Sequence, residues 1–324
     1  MIRCRVCGNG QDNEQHLFRE QYLGLGDEFV YGECSSCGSL SIERVPEDLA
    51  HFYPATYYSY AVRPYSRIAG FLKAKRDRYY LGRPGMIGKF VARLRPAPPY
   101  IAWLKNLELP EGSRILEVGS GGGTLTVNLH GAGYPATGID AFISAPVTYP
   151  NGARVLKQSL EETAGSYDCV MLHHCLEHLA SPREAFTQIS RLLKPGGKVL
   201  IRTPVAGARA WRTYGKNWFQ LDAPRHLVIL SEEGMSRLAA ENGFHIMKIV
   251  YDSTASQFWA SEQYAKGIAL MSATSYAVKP QGSLFTAKQI RDYEEQAEAL
   301  NARKDGDQAS YYLVRMDDHE KTYR

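Results

Sequence analysis

From Arg114 onward, short apolar runs alternate with stretches whose apolar residues recur every three or four positions. The runs RILEV (114–118), ATGID (136–140), ARVLK (153–157), YDCVML (167–172), KVLIRT (198–203), HIMKIV (245–250) and SYYLVRM (310–316) predict strands. Helical spacing fills the gaps at 182–193 and 232–242. Seven strands with alternating helices predict a seven-stranded, doubly wound, Rossmann-like α/β sheet. Residues 257–305 are expected to be a mostly helical insertion before the last strand. Upstream, Ile68, Phe71, Leu72 and Tyr79 recur at helical spacing, as do Met86, Phe90 and Leu94 with Ile87 and Val91. Two amphipathic helices are predicted there, packing their apolar stripes on the α/β domain. Pro96, Pro98 and Pro99 then break the chain before a short helix through Trp103, Leu104 and Leu107. The expected organisation is a head (1–50), a Tyr-rich helical connector (51–110) and an α/β domain (111–324).

Composition supports a folded chain and little else. Of 324 residues, 44% are hydrophobic and 22% charged, which excludes a mainly disordered protein. No apolar run is long enough for a transmembrane helix, and MIRCRVCGNG lacks the apolar stretch of a signal peptide, so the cytoplasm is the expected compartment. Charge changes the picture more. The formal charge is +4, but 61–99 holds ten basic residues against one acid, Asp77, a local +9 that leaves −5 elsewhere. An anionic acceptor, an acidic membrane surface or a phosphate backbone would each account for that segment, as would a solvated helix face.

The head carries Cys4-x2-Cys7-Gly8 and Cys34-x2-Cys37-Gly38. Each turn offers two thiolates, and the glycine lets the backbone fold beneath them. Four thiolates predict a closed, structural zinc site, which leaves no coordination position for chemistry. Cys169 and Cys175, in or beside an apolar strand, are expected to be inert.

The first strand of the α/β region runs into Glu117-Val-Gly119-Ser120-Gly121-Gly-Gly123. Glycines suit a sharp strand-to-helix turn that a ligand must approach closely. A dinucleotide G-x-G-x-x-G register would put Thr124 at its last glycine. Asp140 ends the second strand, where a carboxylate can accept hydrogen bonds from a ribose diol. The pattern E-x-G-x-G-x-G resembles the loop of class I S-adenosylmethionine (SAM) methyltransferases. Tyr167-Asp168…Leu176-Glu177-His178, Leu192-Leu-Lys-Pro195-Gly196-Gly197 and Trp218-Phe-Gln-Leu-Asp222-Ala-Pro224-Arg225-His226 resemble later motifs of the same superfamily, the last of them in a branch associated with cell-surface glycans. The resemblance covers roughly 100–316. It implies that Glu117, Gly119, Ser120, Gly121, Gly123, Asp140, Ala141, Ser159, Leu160 and His173 hold SAM. Many relatives have an acid after the third strand where Ser159 stands, so Glu161 or a backbone carbonyl would take the adenine amino group.

Methyl transfer to a hydroxyl needs alignment, a dry pocket and a base. His226 and His178 are the candidate bases, with His226 favoured; His174 and Glu177 lie beside the latter in sequence. Tyr53, Tyr57, Tyr58, Trp211, Tyr214 and Trp218 could floor a sugar site, although packing explains most of them. With the zinc head, the resemblance implies O-methylation of a sugar hydroxyl in a cell-surface glycan or its activated, lipid-linked precursor. Two alternatives remain: an RNA methyltransferase gripping phosphates through the basic segment, and a zinc scaffold without catalysis.

Overall fold

The computed structural model describes residues 2–53, 62 and 64–316. In the head, β1 (Glu14–Arg19) pairs antiparallel with β2 (Glu28–Glu33), and β2 with β3 (Leu40–Ile42). The connector carries α1 (Arg67–Tyr80), α2 (Met86–Leu94) and α3 (Pro99–Leu107). Ser66 Oγ accepts from the Ala69 N–H at 3.3 Å to start α1, while Pro99 opens α3, where its missing N–H would have no helical partner.

The α/β region then runs through β4 (Ile115–Val118), α4 (Thr124–Ala132), β5 (Ala136–Ile139), β6 (Val147–Thr148), β7 (Arg154–Leu156) and β8 (Tyr167–His173). It continues with α5 (Pro182–Leu192), β9 (Leu193–Pro204), α6 (Arg209–Tyr214), β10 (Val228–Ile229), α7 (Glu232–Glu241), β11 (Phe244–Tyr251), α8 (Ser256–Ala265), α9 (Ala287–Ala302) and β12 (Gln308–Arg315). The large sheet has the order β11-β12-β9-β8-β4-β5-β7-β6. β4, β5, β7, β8 and β9 are parallel, and β12 lies antiparallel between β9 and β11. All seven expected strands are present; β6 is an added edge strand, too short to show any periodicity. The chain leaves β4 on one side toward β5 and β7, then returns to its other side for β8 and β9. The loops after β4 and β8 therefore part at a switch point, the usual ligand crevice of open α/β sheets.

A second sheet, β1-β2-β3-β10, ties the head to the large domain, with Leu40 and Ser41 paired to Ile229 and Val228. Tyr31, Leu40 and Ile42 share one core with Trp218, Val228, Leu230 and Met235.

Two expectations need correction. The apolar stripes of α1 and α2 do not pack on the α/β domain: Asp77 and Gly88 are the buried residues of these helices, while Ile68, Phe71, Met86, Phe90 and Leu94 face outward. Periodicity reports that a helix has two faces, but not which one finds a partner. The 257–305 insertion is helical only at its ends, because Gly267, Pro280 and Gly282 interrupt the stretch between α8 and α9. Among the described residues, no helix is long and apolar enough to cross a membrane.

Candidate active site

The loop after β4 is shaped by backbone geometry that only glycine adopts without strain. Gly119, Gly121 and Gly123 have φ of 68°, 51° and 76°. A Cβ on Gly119 would lie 2.6 Å from Cys175 Sγ, and one on Gly123 would strike Val155. Asp140 braces the loop: its Oδ2 accepts from the Gly121 N–H at 2.9 Å and its Oδ1 from the Phe142 N–H at 2.8 Å. The buried Glu117 carboxyl accepts from Thr126 Oγ1, and burial pushes its pKa up to about 7. Ser120 Oγ and both ring nitrogens of His173 are buried without a partner among the described residues. His173 stacks on Trp103 at 4.3 Å, and burial pushes its pKa down to about 3. A carboxyl suited to an ammonium, a glycine cradle and unsatisfied buried polar atoms together fit SAM.

A second group converges where the turn after β8 meets the segment before β10. His178 Nδ1 donates to Arg225 O at 2.9 Å, with Tyr53 Oη 3.1 Å from the same nitrogen. His226 Nδ1 donates to Gln220 O at 2.7 Å. A carbonyl only accepts, so each ring carries its proton on Nδ1 and keeps a lone pair on Nε2 when neutral. The two rings meet edge to face at 4.8 Å. Burial and the neighbouring His226 push His178 down to about 4, which makes it a neutral acceptor at pH 7. Glu177 is fully buried and accepts from Thr203 Oγ1 at 3.0 Å; burial would raise its pKa, but His174, 3.2 Å away, more than reverses this and holds it near 2. A carboxylate oxygen and two imidazole nitrogens from Glu177, His178 and His226 lie within 4.8 Å of one another, so these groups also have the donor set for a metal ion.

Residues 89–249 match the family model described as a methyltransferase domain. This part of the chain is a methyltransferase domain. A ubiquinone biosynthesis O-methyltransferase of Nitrosococcus oceani is 37% identical over 126 residues, covering 34% of this chain and 52% of that protein. One from Xanthomonas axonopodis pv. citri is 36% identical over 116 residues, covering 31% and 48%. The chain thus spans about half the length of the curated relatives it matches. Among solved structures, magnesium protoporphyrin IX methyltransferase from Synechocystis, with bound SAH, superposes with a TM-score of 0.45 at 13% identity, covering 82% of this chain and 97% of that one. A cyclopropane synthase of Mycobacterium tuberculosis gives 0.42 at 18% identity, covering 65% and 81%.

The head clamps this methyltransferase domain at its candidate catalytic loop. Cys4 and Cys37 sulfurs are 3.7 Å apart and those of Cys7 and Cys34 3.5 Å, too far for disulfides and close to the ~3.8 Å between thiolates on a tetrahedral zinc. Both knuckles have the same local fold: the Gly8 N–H donates to Cys4 O at 3.0 Å and the Gly38 N–H to Cys34 O at 2.8 Å. From the same head, Tyr31 Oη donates to His226 O at 2.8 Å. Glu20 pairs at 3.2 Å with Arg225, which also pairs with Asp222 at 2.6 Å and donates to Phe52 O at 2.9 Å.

The expected SAM residues of the methyltransferase domain divide. Glu117, Gly119, Ser120, Gly121, Gly123 and Asp140 lie together around the loop, and Ala141 follows Asp140 at the surface. Ser159 instead caps a local turn: its N–H donates to Glu162 Oε2 at 2.9 Å and its Oγ accepts from the Glu162 N–H. Leu160 is buried beside it. The aromatic floor is mostly packing. Trp218 is fully buried and donates to Asp307 at 3.0 Å, while Trp211 packs on His16 and Phe18 of the head. Tyr57 and Tyr58 lie outside the described residues. Sequence reasoning missed Glu20, Tyr31 and Thr203, because the contacts that tie them to Arg225, His226 and Glu177 span 26 or more positions and leave no local spacing to read.

Proposed function

We propose that this chain is a SAM-dependent O-methyltransferase in which His226, seconded by His178, takes the acceptor proton. The observation that carries the reading is the pair of imidazoles, His226 buried and His178 partly buried, with Nδ1 bonded to backbone carbonyls at the same sheet edge as the glycine loop. In this reading Glu117 receives the ammonium of SAM, Asp140 its ribose, and the cradle of Gly119 to Gly123 lets the backbone approach. SAM supplies an electrophilic methyl whose bond to sulfur breaks as the bond to oxygen forms, with the electron pair left on sulfur. The hydroxyl proton passes to a histidine Nε2. Glu177 and Asp222 hold the two rings' surroundings anionic, which stabilises the imidazolium that results.

The favoured acceptor is a sugar hydroxyl of a cell-surface glycan or its activated, lipid-linked precursor. This rests on the resemblance of Trp218 to His226 and on the zinc head. A hydroxyl of a ubiquinone precursor is the second reading, favoured by the relatives' names; their similarity spans only about a third of this chain. Formation of S-adenosylhomocysteine against nucleotide sugars, lipid-linked glycans and hydroxylated quinone precursors separates the two. Turnover confined to the quinone set would overturn the glycan reading, and no SAM binding in calorimetry would overturn both.

A further inference from the structure

The basic residues of the connector fall into two classes. Arg76 pairs at 2.8 Å with the buried Asp77, which also accepts from Tyr100 Oη. Arg83 pairs at 2.8 Å with Glu111 and donates to Ala132 O at 2.8 Å. Asp77 through Tyr100, and Arg83 through Glu111 and Ala132, pin the helical hairpin to the rest of the chain, while the Arg76 pair stays within α1. Arg67, Lys73, Arg78, Lys89, Arg93 and Arg95 are exposed and pair with no acid among the described residues.

The same two helices expose the apolar residues that periodicity assigns to a packed face, with Lys89 and Arg93 next to them on α2. Ile68 is 76% exposed, Met86 89%, Phe90 63% and Leu94 66%. Met86, Phe90 and Leu94, four residues apart, run along one side of α2, flanked by Lys89 and Arg93. The stripe is held outward. A Cβ on Gly88 would run into Lys75 O, so α1 and α2 cross almost backbone to backbone, and α1 packs in turn on α4. Neither helix can roll its apolar side inward without breaking that crossing.

We infer that the α1–α2 hairpin docks this protein on an anionic lipid bilayer. Ile68, Met86, Phe90 and Leu94 enter the boundary between headgroups and acyl chains, and the unpaired lysines and arginines lie among the phosphates. A second copy of the chain meets this face badly, because it would set basic rim against basic rim. A nucleic acid would satisfy the cations but leave the apolar stripe in water. The docking is independent of which hydroxyl the enzyme methylates.

The test is co-sedimentation of the full chain with sucrose-loaded vesicles of phosphatidylcholine alone or with one quarter phosphatidylglycerol. Binding to the anionic vesicles should be at least about tenfold stronger and should fall as salt is raised. Phe90→Glu with Leu94→Glu, and separately Lys89→Glu with Arg93→Glu, should each weaken it about tenfold or more. Circular dichroism and SAM binding should stay unchanged in both variants. Equal sedimentation with the two vesicle types, or binding indifferent to both double variants, overturns the inference. So does a dimer in sedimentation velocity that Phe90→Glu with Leu94→Glu disperses while vesicles leave the native chain in solution.

Discussion

Single residues set the chemistry through the atoms that their neighbours leave free. With Nδ1 committed to Gln220 O, His226 has only Nε2 to offer a hydroxyl. His226→Ala should lower turnover by about a hundredfold or more, the usual contribution of a positioned base, while SAM affinity by calorimetry changes little. Asp140→Ala should do the reverse and weaken SAM binding. Glu117 carries a pH signature. Burial raises its folded pKa to about 7, so the folded apo protein holds a proton there that the unfolded chain releases above its ordinary carboxyl value. Its contribution to stability is therefore present at low pH and lost as pH rises toward 7. Binding an ammonium needs the anion and releases that proton. SAM affinity should accordingly be weaker at pH 6 than at pH 7.5, by up to about tenfold per unit, with a buffer-dependent enthalpy. Glu117→Gln should remove the pH dependence.

At the scale of elements, the loop from β4 to α4 and the loop around Arg225 answer to different constraints. Gly123→Ala meets both a positive φ and Val155, so SAM binding should be lost while far-ultraviolet circular dichroism stays close to native. Arg225 is fully buried between Glu20 and Asp222, with its guanidinium 4.3 Å over the Tyr22 ring. Arg225→Ala removes the cation between the buried Glu20 and the partly buried Asp222 and should cost about 3 kcal/mol in urea unfolding. The glycine loop was legible in the sequence because its constraint is local: four glycines within five residues, with a carboxylate two positions before the first. The Arg225 cluster was not, since Glu20 sits 205 positions away.

For the whole molecule, the four-cysteine head packs as a brace on the methyltransferase domain. β3 pairs with β10, and Tyr31 and Glu20 grip the segment that carries Arg225 and His226. Stripping zinc with a chelator, or replacing Cys34 and Cys37 by Ser, should therefore lower the melting temperature. It should also lower turnover, although the four head cysteines take no part in the proposed proton transfer; a metal-free chain with native stability and activity would refute the bracing role.

Sequence alone determined the strand order in time, the two cysteine pairs that cluster, the glycine loop and the identities of the candidate histidines. Those follow from residue type and near-neighbour spacing, which dihedral preference and ligand chemistry fix locally. Only the tertiary structure decided that the head shares a core with the large sheet, that Trp218 packs inside rather than flooring a pocket, and that the connector's apolar stripes face outward. A helix pattern carries its periodicity within itself. Which face is covered depends on surfaces supplied by residues far away in the chain, and here the close crossing at Gly88 settles it.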